Sequence, residues 1–166
     1  MSSPFLRFAK DSPEYQALAD WWRALENDRG ERALLRRCRS LAEVVFTPTY
    51  HRLRQAVARF GTVNDDSLAL VAGLVARVKS DADDGRIAEQ MATGKPDGSA
   101  RVSGLRFRRL LKVQDTEELL SAMSRTIALL GDTVNLQSLA QSVYWWNDQA
   151  RKKWAFDYYS KASDEA

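Results

Sequence analysis

NDDSLALVAGLVARVKS, residues 64–80, is the stretch that decides the fold. At roughly 100° per residue, Leu68, Val71, Leu74, Val75 and Val78 form one broad face. Ala69, Ala72, Gly73 and Ala76 form a second face of small residues. A helix apolar nearly all round has no side to give to water, so it belongs in the centre of a helical bundle. Asp81, Asp83, Asp84 and Gly85 close it with charge and a glycine.

The flanking chain supplies helices to surround it. Upstream, Asp11-Ser12-Pro13-Glu14 is a helix start: Asp11 or Ser12 caps, Pro13 suits the first turn and Glu14 the positive end of the dipole. Tyr15, Leu18, Trp22 and Leu25 follow at helical spacing, and Trp21, beside Trp22, must pack on a second element or a partner. A helix over 31–39 turns Leu34, Leu35 and Cys38 inward and Arg32, Arg36 and Arg39 outward, with Arg37 apart. Thr47-Pro48 starts another, with Tyr50, Leu53, Val57 and Phe60 buried, Arg52 and Arg59 opposite, and Gly61 as its stop.

Downstream, residues 93–104 read TGKPDGSARVSG. Pro96 after Gly94-Lys95, with no glycine five residues before Gly94, excludes a phosphate loop. The spacing predicts a mobile surface connection that a partner orders. The next stretch, RVSGLRFRRLLK over 101–112, overlaps it. As a helix it places Arg101, Arg108, Arg109 and Lys112 in one arc with Arg106 at its edge, opposite Phe107, Leu110 and Leu111; only Leu105 is misplaced.

Asp115-Thr116-Glu117-Glu118 has capping-box spacing. It opens a helix with Leu119, Met123, Ile127 and Leu130 inward and Arg125 outward, ended by Gly131. Asn135 then caps a last helix of about 25 residues. Its inner row is Leu136, Leu139, Ala140, Val143, Trp146, Ala150, Trp154 and Tyr158. Trp145, Phe156 and Tyr159 form a reverse aromatic strip that meets other helices of this chain or another subunit. The tail beyond Tyr159 is expected to fray. No alternating pattern and no long-period repeat survives, so the fold class is all-α, with about eight helices and no sheet.

The composition excludes several functions. At 166 residues with 45% apolar and 28% charged residues, the chain is one domain or two small helical ones, with enough core to fold without staples. Its single cysteine, Cys38, permits no internal disulfide and fits a reducing cytoplasm. The N-terminal residues contain no secretory signal and no segment reaches the ~18 apolar residues of a membrane span, so a soluble protein is expected. His51 is the only histidine. It has no second ligand for a metal and no nucleophile motif to serve, and the carboxylates sit at helix starts or in the 81–84 loop. No enzyme, metal, cofactor or small-molecule substrate is expected.

The charge is more telling in its distribution than in its total of +3. From Arg29 to Arg59 eight arginines face only Glu31 and Glu43, a local +6. From Arg86 to Lys112 seven basic residues face Glu89 and Asp97, a local +5. Arg36, Arg52, Arg108, Arg109, Lys112 and Arg125 fall on outward faces with few acids at i±4 to pair with them. Segregated positive charge of this kind suits a phosphate backbone. A protein-interaction adaptor whose arginines meet acidic partners is the alternative, and a metal-dependent nuclease the weakest reading.

Several stretches together resemble a known family. They are Trp21-Trp22, Leu35-Arg36-Arg37, PTYHRL over 48–53, VSGLRFRRLL over 102–111 and LAQSVYWWNDQARKKWAFDYY over 139–159. In this order they are similar to CasB, the small subunit of the type I-E CRISPR Cascade complex. The resemblance implies two small packed helical bundles, taken as residues 1–85 and 86–166 with the boundary near the 81–104 connection. It implies no catalytic activity. It also implies a role in antiviral defence: contact with target and displaced DNA strands and with guide RNA, which stabilises the R-loop. The implied partners are a second copy of the chain and the subunits CasA, CasC, CasD and CasE. Basic positions matching the family's are Arg36, Arg37, Arg52, the Arg106, Arg108 and Arg109 run, Arg125 and Arg151. Arg101, Lys112 and Lys152 join them from the charge pattern.

Overall fold

The computed structural model describes residues 5–162. The N-terminal reading falls in part, and the end of the tail wholly, outside them. In chain order the helices are α1 (Pro13–Ala24), a short 3-10 turn (Leu25–Asn27), α2 (Arg29–Arg37), α3 (Leu41–Val45), α4 (Pro48–Ala58) and α5 (Asp65–Val75). A two-residue strand β1 (Ser80–Asp81) precedes α6 (Ile87–Met91), α7 (Gly104–Leu111) and α8 (Thr116–Leu129). Strand β2 (Thr133–Val134) leads into α9 (Leu136–Tyr144) and α10 (Asp148–Lys161). The all-α class stands, with more and shorter helices than the periodicity suggested.

The helices are short because the chain is punctuated by caps. Ser12, Asp28, Ser40, Thr47, Asn64, Ser103, Asp115, Asn135 and Asn147 each accept a bond from the backbone N–H three residues on. Each satisfies an amide that the first helical turn leaves without a partner. Pro13 and Pro48 occupy first-turn positions where no N–H is needed.

At the centre, α5 is buried on every side from Leu68 to Val75. It packs against α2, α3, α4, α8 and α9, and so touches elements on both sides of residue 85. Gly73 allows the closest approach: a Cβ there would lie 3.3 Å from both Leu120 Cδ1 on α8 and Val44 Cγ2 on α3. Arg77, just beyond α5, donates to the Gly73 and Cys38 carbonyls, and burial lowers its guanidinium pKa.

Two sequence expectations need correction and one gains detail. A small sheet does exist: β1 pairs with β2 in parallel, Ser80 with Thr133 and Asp81 with Val134. Two residues cannot display alternation, so the pattern was invisible. The 93–104 connection lies on the surface, as expected, and takes the form of a hairpin. Gly94 bridges Ala100, Gly98 N–H donates to Lys95 O, and Gly94 and Gly98 both take positive φ, closing a hairpin on its own hydrogen bonds. The last helix is two helices. Asn147 caps α10 through Ala150 N–H, while Trp145 Nε1 donates to Leu6 O (2.9 Å) and Trp146 Nε1 to Val113 O (2.7 Å). The adjacent indoles serve different segments, and both lie in the break between α9 and α10. Trp21 likewise meets a second element, donating from Nε1 to Thr49 O at 3.0 Å.

Candidate nucleic-acid interface

Ser103 caps α7, and Phe107 fixes its rotation by stacking on Tyr158 of α10, with ring centroids 4.0 Å apart and planes 7° from parallel. Tyr158 Oη donates to Val102 O at 2.7 Å, pinning the approach to the helix. With Phe107 and Leu110 buried, Arg106 and Arg109 face α8. They meet Arg125 across a cleft of about 310 Å³ whose walls include Leu110, Val113 and Leu129. Glu118 also lines this cleft, yet none of the three arginines forms an ion pair among the described residues. Three guanidinium groups against one carboxylate around one hollow make a local positive field.

The other flank of α8 is basic too. Leu41 N–H donates to Glu117 at the start of α8, at 2.9 Å, while Arg36 Nη2 lies 3.9 Å from Asp132 beyond its end. The segment from Arg36 to Leu41 therefore runs antiparallel alongside α8, carrying Arg37 and Arg39, both exposed and unpaired among the described residues. Between the two basic rims lies the outer row of α8, in which Ser121, Arg125 and Ala128 are exposed at spacings of four and three.

Other sites fall elsewhere. Arg101 is not on the helical arc, because α7 begins only at Gly104; its Nη1 donates to Leu130 O at 3.3 Å, at the end of α8. Arg108 turns toward α10, where its charge opposes the burial that raises the Tyr158 phenol. Lys112 is the exposed C-cap of α7 and Lys152 is exposed on α10. Arg52, on α4, donates to Thr49 Oγ1 at 3.0 Å, and Thr49 in turn donates to Glu31. Arg151 is engaged by Asp148, the Val113 carbonyl (3.5 Å) and the Trp146 ring (5.9 Å), leaving its side chain 16% exposed.

The reverse aromatic strip divides with the helix. Trp145 packs edge-on against Phe5 and Tyr144 within the chain, Tyr159 stands edge-on to Phe107, and Phe156 is exposed. Sequence reasoning missed Lys79, whose Nζ lies 3.6 Å from Asp132. No local signal could have found it, because β1–β2 pairing creates the contact. Among the described residues no group of three or more His, Cys, Asp or Glu is placed to hold a metal, and no helix is long and apolar enough to cross a membrane.

Fold and site together define a helical-bundle protein with an arginine-rimmed helix on its surface. Its sequence matches the model of the family described as CRISPR-associated protein Cse2 over residues 31–159, and the chain belongs to that family. In fold it is similar to a chain of E. coli Cascade bound to a PAM-containing dsDNA target, at 19% identity and a TM-score of 0.65, covering 86% of this chain and 94% of that one. It is also similar to CasB from Thermus thermophilus, at 22% identity and a TM-score of 0.63, covering 90% and 99%. No curated protein matches it. The CasB resemblance read from the paired tryptophans and the 102–111 stretch is thus upheld.

Proposed function

We propose that this chain is a non-catalytic small subunit of a type I-E Cascade surveillance complex, gripping nucleic-acid backbone along the arginine-rimmed face of α8. The observation that carries the reading is the cleft where Arg106, Arg109 and Arg125 converge with no ion pair among the described residues. Guanidinium groups bind phosphate oxygens in a forked geometry and position a strand without reading its bases. In RNA-guided complexes base pairing reads the sequence, and heteroduplex and duplex are nearly balanced in stability. Modest backbone contacts to the target or displaced strand are then enough to tip the balance toward the R-loop. A second copy of the chain and CasA, CasC, CasD and CasE are the partners this role requires, in the cytoplasm, in antiviral defence.

The test is binding of single- and double-stranded DNA by the purified chain over a salt series. Log affinity should fall linearly with log salt, with a slope of about −0.7 per phosphate contact on a single strand. An adaptor for acidic proteins would leave DNA unbound at moderate salt, and that result would overturn the proposal.

A further inference from the structure

A second group of cations gathers where α8 ends. Arg36 Nη2 and Lys79 Nζ lie 3.9 and 3.6 Å from the same oxygen of Asp132, and Arg101 Nη1 holds the Leu130 carbonyl. Two cations therefore flank one carboxylate, and a third is held on the turn two residues before it. Neither ion pair is short enough to be a hydrogen bond. The carboxylate is placed by its turn and not by the cations: Asp132 has φ +60, its N–H donates to Ile127 O, and its carbonyl accepts from Lys79 N–H at 2.8 Å. Lys161 and Arg101 line an adjoining hollow of about 430 Å³. Its acids are engaged, Glu89 by Arg86 N–H and Asp84 by Gln90 Nε2.

We infer that Arg36, Lys79 and Arg101 form a second phosphate-binding station, with Asp132 as a built-in counter-ion that restrains its affinity. This rests on the reading of the α7–α8 cleft as a backbone grip, and it extends that grip. Leu129 in the cleft wall adjoins Leu130, whose carbonyl Arg101 holds, so the two stations are consecutive along α8. The ligand this arrangement fits is one nucleic-acid strand laid lengthwise on α8, its successive phosphates drawn first to the cleft and then to the turn.

The experiment compares Lys79→Gln, Asp132→Asn and a triple Arg106→Gln, Arg109→Gln, Arg125→Gln variant of the full chain. The readout is fluorescence anisotropy with a labelled oligothymidylate over a salt series, with inorganic phosphate as competitor. Asparagine suits the left-handed backbone at 132, so the turn survives that change. Lys79→Gln should weaken binding roughly two- to five-fold, the range for an exposed ion pair, and flatten the salt slope by about 0.7. Asp132→Asn should tighten binding by a similar factor. If neither changes affinity while the triple variant loses it, the second station is wrong and the cleft reading stands. If the triple variant binds like the unaltered chain while Lys79→Gln weakens binding, the station is the grip and the cleft reading falls. If Asp132→Asn weakens binding in step with a lower Tm, Asp132 is structural and the inference is overturned. Displacement by inorganic phosphate at low concentration would mark a free-anion site, which also overturns it.

Discussion

Replacing Arg106, Arg109 and Arg125 with glutamine removes three guanidinium groups from the cleft and should leave the fold intact. None of the three has a side-chain hydrogen bond or ion pair among the described residues, and all are exposed. Glutamine is nearly as good a helix former as arginine, so α7 and α8 should keep their length. Each exposed charge pair to phosphate is worth up to about 1 kcal/mol, so losing three removes up to about 3 kcal/mol, at most roughly a hundredfold in Kd. The salt slope on a single strand should flatten by about 2. Over a fourfold rise in salt, the variant should lose about twentyfold less affinity than the unaltered chain. Anisotropy at several salt concentrations measures both quantities, with far-UV circular dichroism and a thermal melt as controls. Glu118→Gln in the same cleft removes a competing carboxylate and should move affinity the other way. An unchanged affinity and slope in the triple variant, at an unchanged Tm, would refute the reasoning. A lost affinity with an unchanged slope would show that the contacts are not to phosphate.

Other consequences concern the scaffold. Asp157→Asn breaks the paired bonds in which Arg86 Nε and Nη2 each reach an Asp157 oxygen at 2.8 Å, tying α6 to α10. A loss of roughly 1.5–3 kcal/mol is expected, at about 2–4 °C per kcal/mol in a thermal melt. Asn147→Ala removes the cap that restarts the chain as α10 and should cost about 1 kcal/mol in denaturant unfolding. Gly94→Ala is strained at φ +106, and its Cβ would collide with the Arg101 guanidinium. Oligonucleotide binding should weaken as Arg101 is displaced from Leu130. Burial, the largest cause, pushes the Tyr15 and Tyr50 phenols from 10.0 to about 12, with Asp81 and Asp65 adding to it. The folded chain then holds these protons after the unfolded chain has released them. Stability should be fully present below pH 10 and fall as pH rises from 10 toward 12, which thermal melts over that range would measure.

Much of the fold could be read from the sequence because its signals are local. The apolar run of α5 announces a central helix, and the Ser, Thr, Asp and Asn caps stand beside the residues they serve. The arginines of α7 and α8 were legible as outward-facing, but their meeting in one cleft was not. Rotation of α7 is set by Phe107 on Tyr158, a contact between distant parts of the chain. The break at Trp145 was hidden because apolar spacing runs straight through it. The cluster at Asp132 was hidden because it depends on the two-residue β1–β2 pairing.

Sequence also cannot sort the arginines, and their hydrogen-bond partners can. One population holds the bundle together by filling carbonyl or carboxylate partners. Arg32 donates to Ala76 O and Val78 O, Arg77 to Gly73 O and Cys38 O, and Arg86 to Asp157. Removing any of these leaves a polar group unpaired in or near the core, a cost in stability. The second population, Arg37, Arg106, Arg108, Arg109 and Arg125, is exposed and has no such partner among the described residues. Like charges held close together without compensation repel, which slightly destabilises the compact state. A surface that keeps Arg106, Arg109 and Arg125 grouped at one cleft makes physical sense when an external polyanion supplies the missing charge.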